Sequence, residues 1–174
     1  VSFLFAICQL SLVTYLVTFL HEDLDVDLIT AGFVLAVAQA AGVAGRLLWG
    51  YVSDHFLGPI RSLVLLSAGI ALCAAATPFL HLVDSRLLVL IILSVFGGCA
   101  IGWNGVYLAE VARQAPPGQA GIATGGTLAM TFVGVVVGPP LFGAIATASG
   151  SYGLAYAALI VPAAGCIALL GLFR

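Results

Sequence analysis

Three side-chain amides and one guanidinium, Gln9, Gln39, Asn104 and Arg46, stand inside stretches of this 174-residue chain that are otherwise apolar. An amide brings two donors and an acceptor oxygen that hydrocarbon cannot satisfy, so each must meet a neighbouring helix or a bound solute. Tyr15, Trp103, Tyr107 and Thr127 lie in the same stretches, with Thr14, Thr124 and Thr131 beside them. A threonine hydroxyl commonly bonds back to its own helix, so it is a weaker candidate than an amide. The chemistry on offer is recognition by hydrogen bonding, and the same groups serve equally as glue between helices.

Bond-making chemistry has no such foothold. His21, His55 and His81 fall in polar connections, and neither His-Glu-x-x-His nor Gly-x-Ser-x-Gly occurs. Cys8, Cys73, Cys99 and Cys166 are scattered through apolar runs without the paired spacing of a metal site, and read as small buried hydrophobes. The chain contains no lysine, which excludes a Gly-Lys-Ser or Gly-Lys-Thr phosphate loop and, with it, an ATP-driven pump. No catalytic residue, metal or cofactor is expected.

The elements that must position the amides are long apolar rods. The composition is 63% hydrophobic and 7% charged, with a mean hydropathy of +1.24, whereas a water-soluble surface needs roughly 25% charged residues. Lipid must therefore surround most of the outside. The net charge of −2 points neither to nucleic acid nor to a polybasic lipid patch. Charges and turn residues divide the chain into runs at about 1–20, 30–52, 62–80, 87–109, 120–147 and 154–173. Each is close to the roughly 20 residues a helix needs to cross the hydrocarbon core, and barrel strands are excluded by length and by their alternating polarity. The expected fold is an all-α membrane protein, one six-helix transmembrane bundle over residues 1–174.

The connections after the first, third and fifth helices hold Glu22, Asp23, Asp25, Asp27 and Asp84, with Arg86 as their one arginine. Arg61, Arg113 and Arg174, and Arg46 within reach, gather on the opposite side, which the positive-inside rule makes cytoplasmic. Both termini are expected inside. Arg46 is expected to snorkel outward or to pair with Asp54 or Glu110, and Glu110 with Arg113 to form a surface pair.

The second connection reads Gly50-Tyr51-Val52-Ser53-Asp54-His55-Phe56-Leu57-Gly58-Pro59-Ile60-Arg61. Gly50, Asp54, Gly58 and Arg61 resemble the signature of the major facilitator superfamily between the second and third helix of each half. Two departures stand out: His55 replaces the usual basic residue, and the Asp54-to-Gly58 spacing is one residue longer. Helix five carries Gly125, Gly134, Gly138-Pro139 and Phe142-Gly143, similar to the glycine and proline pattern of that superfamily's fifth helix, especially among antiporters.

The resemblance implies one half of a twelve-helix carrier, the C-terminal half, with the N-terminal half missing from a chain that begins at Val1. It implies a secondary active transporter, symporter or antiporter, working by alternating access in a bacterial inner membrane. Its partners would be a small-molecule substrate, a coupling ion and the lipid bilayer. The alternative is a channel or a non-transporting membrane scaffold. In the superfamily the third and sixth helices of a half are peripheral and the others line the cavity, which makes Gln9, Tyr15, Gln39, Trp103, Asn104 and Thr127 the substrate-site candidates. Gly50, Asp54, Gly58 and Arg61 would form a latch, Asp54 meeting Arg61 or the start of helix five near Gly118 to Gly121, because an anion suits exposed helix N–H groups. Gly125, Gly134, Gly138 and Pro139 would pack or hinge helix five. No carboxylate stands near the midplane to carry a proton.

Overall fold

Backbone in hydrocarbon must satisfy its own hydrogen bonds. In the computed structural model, which describes residues 1–83 and 85–172, each of the six expected apolar runs is helical. The helices are α1 (Ser2–Glu22), α2 (Leu28–Val52), α3 (Pro59–Ala76), α4 (Arg86–Gln114), α5 (Ala120–Ser149), α6 (Tyr152–Ala158) and α7 (Ile160–Gly171). A π-turn, Ser53–Leu57, lengthens the second span, and a 3₁₀ turn, Thr77–Leu82, lengthens the third. Asp84 and Arg174, both counted in the charge pattern, lie outside the described residues, as does the end of the sixth expected run at 173.

The sixth span, Tyr152–Gly171, is two helices rather than one. Pro162 has no N–H to give the carbonyl of Ala158, and the chain tightens at Leu159, whose N–H bonds to Tyr156 O. In α5 the tandem Pro139-Pro140 is absorbed without a break, though the carbonyls of Val135 and Val136 lose their helical donors. Gly150, with φ 69°, ends α5 in the left-handed conformation that costs glycine least. At the start of α2, Asp27 caps the Thr30 N–H at 2.9 Å, and its hydrogen bonds to Thr30 hold its carboxyl below the usual carboxylate range.

Lipid tails are as apolar as leucine, so helices gain little by hiding leucine from them, and seams form where small residues let backbones approach. Two such seams set the bundle, α2 along α4 and α1 along α5. In the first, Gly97 lies under the carbonyl of Ala38, Gly45 under that of Gly98, and Gly42 against Ile101. In the second, Gly134 and Gly138 receive Phe3 and Ile7 of α1. Gly125 takes part in neither: a Cβ there would meet nothing within 4 Å. The third span packs on the flank of α4, and α7 packs on α3 and on α1.

Two further ties hold α6 to α1. Tyr156 is fully buried, donates its hydroxyl to Leu12 O at 3.1 Å, and meets the rings of Phe19, Phe96 and Phe142. Asp23 Oδ2 accepts from Ser151 Oγ at 2.8 Å and from Gly153 N–H at 2.9 Å, a carboxylate on the first turn of α6. Neither tie was legible as such, since Asp23 looks like one of four loop acids and Tyr156 like one more apolar residue.

The glycine seams carry a direct test. Gly97→Ala should lower the unfolding free energy of the detergent-solubilised chain by about 1–3 kcal/mol, because the added methyl overlaps backbone that cannot retreat. Gly125→Ala should leave stability unchanged or raise it by up to about 1 kcal/mol through helix propensity. Equal melting curves for the two variants would show that the α2–α4 seam is not closely packed.

Candidate functional site

Three helices contribute to one polar cluster halfway along the bundle. Gln9 of α1 faces α4, where Trp103 and Asn104 are adjacent; its Oε1 accepts from Trp103 Nε1 and from Asn104 Nδ2, each at 3.0 Å. The indole is a donor only, so the accepting atom must be the Gln9 oxygen, and the amide nitrogen is turned the other way. Asn104 Nδ2 also donates to Ile101 O at 3.3 Å, and among the described residues no donor meets its Oδ1. Arg46 Nε of α2 reaches that same Ile101 carbonyl, also at 3.3 Å. Trp103, Gln9, Asn104, Ile101 O and Arg46 therefore form one continuous chain across α1, α4 and α2.

Trp103 is 1% exposed and stacks on Phe5 at 5.0 Å, so it is a wall that orients Gln9 rather than a surface a solute can touch. Gln9 and Asn104 are half-buried and Arg46 is exposed, so the cluster opens on its Arg46 side. An arginine near a helix centre costs about 2.5–3.5 kcal/mol when it faces lipid, so such an opening belongs on a wet cavity or a protein neighbour.

The other candidates lie elsewhere. Gln39 is exposed on α2, two turns from Arg46 on the same side of the helix, and no hydrogen bond to it occurs among the described residues. Tyr15 is stacked on Phe142 at 4.8 Å, in the α1–α5 seam. Thr127 shares an open hollow with Ser2, Phe3 and Tyr107, and its carbonyl accepts from Thr131 Oγ1 at 3.0 Å. Gln9, Trp103 and Asn104 are thus gathered, whereas Gln39, Tyr15 and Thr127 each stand apart from them.

The expected latch is not assembled within the described residues. Asp54 and Arg61 are both exposed, no ion pair joins them, and residues 118–121 at the start of α5 are exposed as well. Arg61 instead lines an open depression of about 620 Å³ with Gly58, Glu110 and Arg113. Glu110 is held by Arg113 and by Gln114 Nε2, the latter at 2.6 Å, so it is not Arg46's partner, and neither is Asp54. His21, His55 and His81 each bond through Nδ1 to a nearby backbone carbonyl, so the ring proton sits on Nδ1. The four cysteines are buried and free.

Comparison with known proteins adds the family. The sequence profile of the Major Facilitator Superfamily matches residues 1–127. An uncharacterized MFS-type transporter of Mycobacterium tuberculosis strain CDC 1551 / Oshkosh is 31% identical over 151 residues, covering 83% of this chain and 32% of the relative. A second uncharacterized MFS-type transporter, from strain H37Rv, is 30% identical over the same length. The chain spans about a third of the length of these curated relatives. No solved structure matches it.

Gln9→Leu should destabilise the bundle by about 1–3 kcal/mol, since it strands the buried Trp103 N–H without an acceptor. Gln39→Leu, whose amide has no described partner to lose, should leave the melting temperature in place. Thermal unfolding followed by tryptophan fluorescence separates the two, and an unshifted Gln9→Leu curve would remove the cluster from the list of structural ties.

Proposed function

The chain belongs to the Major Facilitator Superfamily, and on that premise we propose that it forms one six-helix half of a secondary active transporter that moves a small solute by alternating access. The observation that carries this reading is the Gln9, Asn104 and Arg46 cluster: polar, halfway across the spans, and open on one side. Carriers of this kind place substrate near the midplane at the junction of two repeats, so a half presents an incomplete site whose open side awaits the other repeat. The large apolar faces left uncovered on α2 and α5 fit the same arrangement, since those helices are among the least buried in the bundle.

In this reading Gln9 and Asn104 orient the solute, with Trp103 fixing the direction in which Gln9 presents its amide. Gly134 and Gly138 keep α5 on α1 through the cycle. Gly50, Asp54, Gly58 and Arg61 belong to the face where the two halves separate, with Asp54 and Arg61 reaching partners in the complementary half. The half itself is the C-terminal one, set in a bacterial inner membrane with its termini in the cytoplasm. A coupling carboxylate, if the cycle uses one, stands in the other half, because no acid lies near the centre of the spans described.

Reporter fusions test the placement: the Glu22–Asp27 connection should report outside, and the Arg61 and Arg113 connections inside. Transport tests the rest. Proteoliposomes holding the chain joined to its complementary half should show saturable uptake with counterflow, and the chain alone should show none. Flux that rises linearly with solute and lacks counterflow would replace the carrier with a channel, and no flux at all with the scaffold.

A further inference from the structure

The direction taken by the Arg46 side chain narrows the solute's chemistry. Arg46 lies one turn beyond the middle of the span Leu28–Leu57, toward the Arg61 end. Its backbone is level with Gly105, whose added Cβ would sit 3.7 Å from Arg46 O. Its Nε nevertheless bonds to Ile101 O, one turn away from the Arg61 end and next to the middle residue of Arg86–Gln114. The side chain therefore leans back toward the mid-depth of the spans. A snorkelling arginine would lean the other way, to the interface.

What the head group meets there is strongly biased. Arg46 Nε and Asn104 Nδ2 converge on one carbonyl at 3.3 Å each, so they lie no farther apart than twice that distance. With Nε engaged, both terminal nitrogens of the guanidinium still carry donors, and Gln9 Nε2 carries two more. Among the described residues no acid pairs with Arg46. Glu22, Asp23, Asp25 and Asp27 are at the end where α1 finishes, Glu110 is held by Arg113, and Asp54 is two turns away on the π-turn.

We propose that Arg46 is the charged anchor for a carboxylate-bearing organic solute, bound through its terminal nitrogens and seconded by the Gln9 and Asn104 amides. The proposal rests on the carrier reading and deepens it by naming the solute class. A planar guanidinium fork matches a carboxylate with two parallel hydrogen bonds, which a lysine ammonium cannot copy. The Ile101 carbonyl holds the fork in place before the solute arrives, so little side-chain freedom is lost on binding.

The test uses the full-length protein, with lactate, benzoate and glutarate as probes and their uncharged amides as controls. At least one carboxylate should raise the melting temperature while its amide does not. Arg46→Gln should weaken that probe about 10- to 100-fold, the loss of a charge-assisted pair, and Arg46→Lys should fall between. Gln9→Ala should weaken it further without altering the preference for carboxylate over amide. Carboxylates and amides acting alike, or a carboxylate shift that survives Arg46→Gln, would overturn the assignment; if Arg46→Gln does not fold, Arg46→Lys binding with wild-type affinity would do so. Thermal shift needs no transport and decides the solute class alone. Saturable counterflow of a neutral solute that is untouched by Arg46→Gln keeps the carrier and discards the anion; absence of counterflow for every solute bears on the carrier alone.

Discussion

Every feature of this bundle answers to one constraint: hydrocarbon gives a helix no reason to bury leucine and every reason to satisfy a polar atom. Association therefore falls to glycines that bring backbones together and to the few groups that need a hydrogen bond. The α2–α4 and α1–α5 seams are glycine seams. The cross-links are polar: Gln9 to α4, Tyr156 to α1, Asp23 to α6, Arg46 to α4. Large apolar side chains such as Leu47, Ile122 and Val161 stay outside and exposed, where a soluble fold would not leave them.

Because the solvent is lipid, the fold class could be read from where charges and turn residues interrupt the apolar runs. The six spans, the helical state of each and the family all follow from that pattern together with the Gly50-to-Arg61 loop. The break at Leu159 escaped, although Pro162 announces it chemically. Within the site, Gln9, Trp103 and Asn104 were legible by residue type alone. Their mutual contact was not, since it depends on the rotation of α1 against α4, and that rotation is fixed by Phe3 and Ile7 seating on the glycines of α5.

The misplaced expectations have a common cause. An acid was expected to settle on a helix N-terminus, and one does, but it is Asp23 on α6 and not Asp54 on α5. The principle held while the address did not, because sequence gives which groups need partners and not which partner is within reach. Arg46 is the same case: a cation between two loop acids looks like an ion pair, yet the close parallel packing of α2 on α4 brings the Ile101 carbonyl nearer than either acid. Gly125 follows Gly121 at four-residue spacing, yet a Cβ at either position would meet nothing within 4 Å.

The ties on α1 have a mechanical consequence. Gln9 engages α4, the Leu12 carbonyl engages Tyr156 one turn later, and Asp23 engages α6 at the tip. These three anchor points sit at different heights and divide between α4 and α6, so turning or sliding α1 against either helix breaks at least one of them. The first helix behaves as a keyed spindle. Any rearrangement of this bundle must carry α1 and α6 as one rigid piece, leaving relative motion to helices that are not pinned so often.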